Sequence, residues 1–283
     1  MADGIANGFI DPDSSLRERP FSELHDLLDV AIFSGHQADF APYLFADRDF
    51  REIVTRINVT EGYEDQCSAK YYFDMCRVVL EEAEQIDRIV EVGVYMGGAS
   101  VLLAGCAEKI DAELVMIDIN DRHLQFSFER LRRSFPEAAE RTRLFHGDLP
   151  TYVRDVLLPE AAEARIMVQL DGSHAFEDVV RDLGSLYYVR ERLQGLMVQD
   201  THLRGMPKGA RFIDAAVFGV FGGDMQYVSI GSTYDESQTE LVTPNRFGGN
   251  YFLPGKPEGM YLPMSHNQFE YPHPSIRIED FFW

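Results

Sequence analysis

The chain has 283 residues, 45% of them hydrophobic, and a formal net charge of -21. That length can bury a large core, and a surface this acidic repels phosphate backbones, so nucleic acid is excluded as a partner class. Residues 1–13 show no basic-then-apolar signal, residues 92–107 are too short and glycine-rich for the ~20 residues a bilayer span needs, and Cys67, Cys76 and Cys106 lack CxxC pairing, so a cytoplasmic protein with reduced thiols and no membrane partner is expected.

In chain order, residues 21–33 place Leu24, Leu27, Leu28, Ala31 and Ile32 at helical spacing, and further helices are predicted over 50–57 and 63–84. From Arg88 the pattern alternates. Apolar strands are predicted at 88–92, 113–119, 142–146, 165–170 and 195–199, with helices at 98–108, 121–135, 151–158 and 176–192 between and after them. Strands this apolar, each followed by a helix, indicate an α/β fold with a doubly wound, mostly parallel sheet. A helix over 208–221, a strand over 226–230 and a return strand over 250–253 complete the sheet as a terminal hairpin. The tail from Pro254 ends in Phe281, Phe282 and Trp283 and is expected to dock, since three large aromatics are unfavourable in water. The expected division is an N-terminal helical extension (1–84), the sheet domain (85–253) and the docked tail (254–283).

Ligands of open α/β sheets gather beyond the C-terminal strand ends. The first such end carries Glu91 and the turn from Gly93 to Gly98. The following ends carry Asp118, then Gly147-Asp148, then Asp171-Gly172-Ser173-His174, then Gln199-Asp200-Thr201-His202. A backbone free of Cβ atoms lets a ligand lie against it. Glu91 repels phosphate, so a hydroxyl-bearing nucleoside with positive charge suits the turn better than a nucleotide. Asp118 follows the last glycine by about 20 residues, the distance at which an acid grips ribose hydroxyls. The plainer uses of these residues are helix capping for Glu91 and turn formation for Asp118 and Asp148.

The run Glu91-Val92-Gly93-Val94-Tyr95-Met96-Gly97-Gly98-Ala99-Ser100 resembles the first motif of class I S-adenosylmethionine-dependent methyltransferases, E/D-x-G-x-x-x-G-x-S. Asp118 matches that family's ribose-binding acid and Asp148 its acid near the adenine. The resemblance implies a seven-stranded sheet whose last strand is antiparallel, and a cofactor held by Glu91, Gly93, Tyr95, Gly97, Ser100, Asp118, Asp148 and Asp171. The segment from Leu170 to Leu183 is similar to the DG-x-H segment of a subgroup acting on natural-product sugars and phenols, which includes macrolide-sugar and aminocoumarin O-methyltransferases and the proteins called cephalosporin hydroxylases. There the aspartate binds Mg²⁺, the histidine is the base, and an acidic pair on the next strand completes the metal site. Here that pair reads Gln199-Asp200, an amide in place of one carboxylate.

An alcohol or phenol is a poor nucleophile until deprotonated. His174 can take the proton, and a divalent ion can lower the hydroxyl pKa. Asp171 and Asp200 end neighbouring strands, about 4.8 Å apart, so their carboxylates can share one hard cation, with Gln199 offering an amide oxygen. His174 could instead merely bond Asp171 or cap the next helix, and His202 is either a second base or ligand or a histidine at the site rim. Tyr63, Tyr71 and Tyr72 line the acceptor region or belong to the core; Arg204 and Lys208 balance local acids or hold an anionic acceptor. Residues 215–223 are apolar enough for core or for the contact of a homo-oligomer, and core is the default.

The expected activity is therefore O-methylation of a small-molecule hydroxyl, on a sugar or phenol of a natural product, with S-adenosylmethionine and Mg²⁺. Two rivals stand beside it. One is a nicotinamide-dependent oxidoreductase, against which the spacing G-x-x-x-G-G argues. The other is a non-catalytic cofactor-binding or pathway-accessory protein, for which Gln199 argues.

Overall fold

The computed structural model describes residues 7–28, 38–57, 67–161, 164–204, 212–233 and 251–282. The chain forms two compact units, Met1–Asp148 and Leu149–Trp283. Among the described residues no helix is long and apolar enough to cross a membrane.

In the first unit, a short strand β1 (Gly8–Ile10) precedes α1 (Arg48–Arg56) and α2 (Ala69–Glu81). Each helix starts where a polar side chain satisfies an amide with no partner inside the helix: Asp47 accepts from the Phe50 N–H at 2.7 Å and Ser68 from the Tyr71 N–H at 3.1 Å. Then β2 (Arg88–Val92), α3 (Gly98–Ile110), β3 (Glu113–Asp118), α4 (Asp121–Ser134), the single turn α5 (Pro136–Ala139) and β4 (Thr142–His146) alternate as predicted. The strand order is β1-β4-β3-β2. β2, β3 and β4 are parallel and in register, Val92 facing Ile117 and Asp118 facing His146. Every residue of β2 is buried, as a strand covered on both faces requires.

In the second unit, α6 (Leu149–Tyr152) runs into one π-helical turn, Val153–Leu157, and is followed by β5 (Ile166–Leu170), α7 (Phe176–Ser185) and β6 (Leu193–Gln199). After them come β7 (Leu203–Arg204), α8 (Ile213–Phe221), β8 (Val228–Thr233), β9 (Tyr251–Phe252) and β10 (Pro257–Pro263). β5 and β6 are parallel; β10 lies between β6 and β8 and is antiparallel to both. The tail docks on this unit: Tyr188 donates to the Ile276 carbonyl at 2.6 Å, and the Phe281 ring meets Tyr188 edge-on at 5.9 Å.

Several expected elements change. Each unit contributes four sheet strands among the described residues, eight where seven were expected, and the additional one is β1, antiparallel to β4. The return strand of the terminal hairpin is β10. The expected 250–253 strand is instead β9, whose Phe252 pairs with Leu203 in a separate two-stranded ribbon. The helix expected over 21–33 is a 3-10 helix, Phe21–Leu27, with residues 29–37 outside the described residues. The helix expected over 176–192 ends at Ser185 and continues as a 3-10 segment kinked at Val189. Tyr63 and Lys208 lie outside the described residues, and α8 is described from Ile213.

Candidate functional site

In the first unit, the turn after β2 is built from left-handed backbone: Gly93 has φ 83°, Tyr95 44° and Gly97 71°. Only glycine takes such angles without strain, so Tyr95 must be held by its surroundings. Asp118 Oδ2 accepts the Val94 N–H at 3.0 Å and the Tyr95 N–H at 3.4 Å, while its Oδ1 accepts the Asn120 N–H at 2.9 Å. From α4, Ser127 donates to the Tyr95 carbonyl at 2.9 Å and Arg130 to the Met96 carbonyl at 2.8 Å. Asp118 thus braces the turn. A carboxylate has about four acceptor positions, so it also retains capacity for ligand hydroxyls.

Glu91 and Ser100 are fully buried and bonded to each other, the Ser100 hydroxyl donating to Glu91 Oε1 at 2.9 Å. They lie beneath the turn rather than on its surface. Gly97 caps α3 with no side-chain bond, so the first-turn amides of that helix receive none from their cap. The Gly147 N–H donates to the Asp118 carbonyl at 2.9 Å, which ties the end of β4, and with it the half-buried Asp148, to the end of β3. Ile119, directly after Asp118, is 76% exposed. Strand periodicity assigned it to β3; its position after the acid was the available signal that it is an apolar surface beside a polar grip.

In the second unit, β5 delivers Asp171, the following loop delivers His174, and β6 delivers Asp200. His174 Nε2 lies 3.1 Å from Asp200 Oδ2 and 3.6 Å from Asp171 Oδ1. One ligand atom from each of the three falls within 4.8 Å of the others. The loop is shaped by the Ser173 hydroxyl, which donates to Asp178 Oδ2 at 2.6 Å and accepts the Ala175 N–H at 3.3 Å. Asp200 itself is left-handed, with φ 57°. Its conformation is fixed by the Leu203 N–H on its carbonyl at 2.8 Å, and by Thr201, whose N–H and hydroxyl donate to the Glu258 and Pro257 carbonyls at 3.0 and 2.8 Å. Thr201 carried no signal in the sequence as an anchor.

The field in this cluster is strongly negative. Burial raises the Asp171 carboxyl to about 7, against the pull of His174 and reinforced by the Asp200 charge. Burial alone would lower His174, but its contacts with Asp171 and Asp200 outweigh that and hold it at about 10. An imidazolium therefore balances the acids at neutral pH. The Asp171 and Asp200 carboxylates offer the oxygen donors that a hard divalent cation accepts, so they fit the ion that the sequence implies.

Gln199 is placed differently from expectation. Its Oε1 receives the Gln169 amide at 3.5 Å, and both side chains are buried within β5 and β6. His202 is buried and stacked on Phe252, with rings 4.3 Å apart and 6° from parallel; burial lowers its pKa to about 4. It is not a rim histidine. Arg204 is buried and paired with Asp214 at 2.8 Å, the charge-balancing use of that residue. Tyr71 and Tyr72 are core residues, and α8 buries Ala216, Val217, Val220 and Phe221.

A family model described as rhamnosyl O-methyltransferase/CmcI matches residues 69–222. A search of curated proteins gives no match. Similar solved structures include an O-methyltransferase from Bacillus cereus in complex with SAH (9% identity, 77% of this chain and 91% of that chain, TM-score 0.49). They also include cofactor-bound Rv0187 from MTB (14% identity, 77% of this chain and 90% of that chain, TM-score 0.48). A third is the O-methyltransferase TomG from Streptomyces achromogenes, involved in tomaymycin synthesis, in complex with SAM (15% identity, 77% of this chain and 90% of that chain, TM-score 0.44).

Proposed function

The chain belongs to the rhamnosyl O-methyltransferase/CmcI family and is an S-adenosylmethionine-dependent O-methyltransferase, and from that premise we propose that its acceptor is a hydroxyl of a small natural product, on a sugar or a phenol, activated with the help of a divalent cation, Mg²⁺. The observation that carries this reading is the meeting of Asp171, His174 and Asp200 in the second unit.

The cofactor, when bound, supplies a methyl group on a sulfonium, already activated for displacement. In the first unit, Gly93 and Gly97 let it approach the backbone, Asp118 offers acceptors to the ribose hydroxyls, Asp148 serves the adenine end, and Ile119 offers an apolar contact. Tyr95 lies on the turn itself, with Glu91 and Ser100 supporting from below. In the second unit, Asp171 and Asp200 hold the cation, which when bound supplies Lewis acidity that lowers the pKa of the acceptor hydroxyl. His174 Nε2 would take the proton of the acceptor hydroxyl, leaving its oxygen as the nucleophile for the methyl group that the bound cofactor would supply. His174 must be neutral to do so, the form it adopts once the charge of the two carboxylates is balanced by something other than its own proton.

The metal part of this reading is tested by titrating Mg²⁺ into chelator-treated protein in a calorimeter. Wild type is expected to bind the ion, and Asp200→Asn to bind it at least about a hundredfold more weakly, given that loss of even an outer-shell partner weakens a metal site ~10–100-fold. Transfer of labelled methyl from S-adenosylmethionine to catechol or methyl rhamnoside is expected to stop in EDTA. Full transfer by metal-stripped protein in chelator would dismiss the cation.

A further inference from the structure

The first unit carries a segment that the family match does not reach, since that match begins at residue 69. Residues 8–28 run across α4 as a strap and are fastened to it by polar bonds. Gln125 accepts the Asp13 N–H at 2.7 Å and donates to the Asp11 carbonyl at 2.9 Å. Arg133 donates to the Leu16 and Arg19 carbonyls at 3.2 and 2.7 Å, and Arg122 donates to the Asp26 carbonyl. Bonds from a guanidinium to neutral carbonyls are charge-assisted and stronger than neutral pairs.

The apolar side of the strap faces the cofactor turn. Leu16, Leu24 and Leu28 form one buried cluster with Met96 and Phe126, and Leu27 and Tyr95 pack against it. Leu24 is fully buried and Met96 is 2% exposed. Tyr95 and Met96 are two of the three residues between the left-handed Gly93 and Gly97. The turn is therefore gripped twice. Ser127 and Arg130 of α4 hold its carbonyls, and the strap holds its side chains. A left-handed non-glycine residue is unfavourable by about 1–2 kcal/mol and persists only where its surroundings over-determine it. At Tyr95, the apolar cluster built on the strap leucines is one of those surroundings.

We propose that Leu24 and Leu28 of the N-terminal strap are positioning residues for the cofactor: by seating Met96 and Tyr95 they fix the backbone that S-adenosylmethionine must lie against. The cluster that these leucines form holds Met96 and Tyr95 of the turn, so the expected effect is on cofactor affinity. The proposal rests on the turn being the cofactor site.

Calorimetric titration with S-adenosylhomocysteine tests it on three variants. Leu24→Ala removes the central side chain, Arg133→Gln loosens the strap at its clasp without opening the cluster, and Leu24→Met restores volume. The first two are expected to bind S-adenosylhomocysteine roughly tenfold more weakly, with KM for S-adenosylmethionine raised, turnover at saturating cofactor retained and Mg²⁺ binding unchanged. Leu24→Met is expected to recover most of the affinity, because volume-conserving apolar exchanges are tolerated. A merely structural role would lower the melting temperature without dividing KM from turnover. Wild-type affinity in Arg133→Gln, with faster amide exchange showing that residues 16–27 have loosened, would overturn the proposal even if Leu24→Ala failed to fold. No binding of S-adenosylhomocysteine by the wild-type protein would overturn the cofactor reading itself, and this proposal with it.

Discussion

Replacing His174 with alanine is expected to reduce methyl transfer ~10²–10⁴-fold, the range for loss of a positioned general base, while leaving the affinity for S-adenosylhomocysteine at its wild-type value. The separation follows from role: His174 pairs with Asp171 and Asp200 and is assigned the acceptor proton, not a cofactor contact. His174 also balances the charge of those acids, so its removal leaves two half-buried carboxylates beside each other. One of them is then expected to take up a proton more readily, since like charges sharing a site raise one another's pKa. The readouts are the rate of labelled methyl transfer to catechol and the heat of S-adenosylhomocysteine binding. Unchanged transfer would remove the base role. A parallel fall in both would make the residue structural.

Gly97→Ala is expected to abolish useful cofactor binding. Gly97 has φ 71°, and an added Cβ would sit 2.9 Å from both the Cβ and the Oγ of Ser127. The left-handed backbone is unfavourable for alanine by about 1–2 kcal/mol, and overpacking adds about 1–3 kcal/mol. The strain falls on a functional contact, because Ser127 Oγ donates to the Tyr95 carbonyl. Moving Ser127 away from the new methyl group releases the turn. Gly219→Ala is the control: it lies in α8 with nothing within 4 Å of the added carbon, and alanine in a helix interior is favoured over glycine by about 0.5–1 kcal/mol. A melting curve and a S-adenosylhomocysteine titration on each should show loss in the first and none in the second. Wild-type affinity in Gly97→Ala would mean that the turn is not the cofactor contact.

The strands that carry the candidate residues of each unit were legible. β2 in the first unit and β5 and β6 in the second are mainly apolar runs with an acid or an amide at or next to their C-terminal end. β10 was not legible. Its residues Pro257, Glu258 and Gly259 are poor strand formers, and it is a strand because it pairs with both β6 and β8, an instance of tertiary context overriding propensity. The 250–253 segment had the better local pattern, and its Tyr251 and Phe252 pair in the smaller ribbon instead. The spacing of Leu24, Leu27 and Leu28 correctly marked one apolar face, but the segment folds as a 3-10 helix and faces Met96.

The positions around Asp171, His174 and Asp200 could be read from strand ends alone, since adjacent parallel strands bring their ends together. The direction of the Gln199 side chain could not. Its amide turns to Gln169, a residue two places before Asp171 on β5, and only the register of β5 with β6 decides that. Contacts of the strap were hidden for a simpler reason. Arg133 reaches a carbonyl 117 residues away in the chain, and no local pattern encodes such a pairing.

Whether the turn from Gly93 to Gly97, braced by Asp118, holds a sulfonium nucleoside is decided by titrating the protein with S-adenosylhomocysteine and, separately, with NAD in a calorimeter. Saturable heat with one equivalent of S-adenosylhomocysteine and none with NAD is expected. Saturable heat with NAD and none with S-adenosylhomocysteine would contradict that role of the turn.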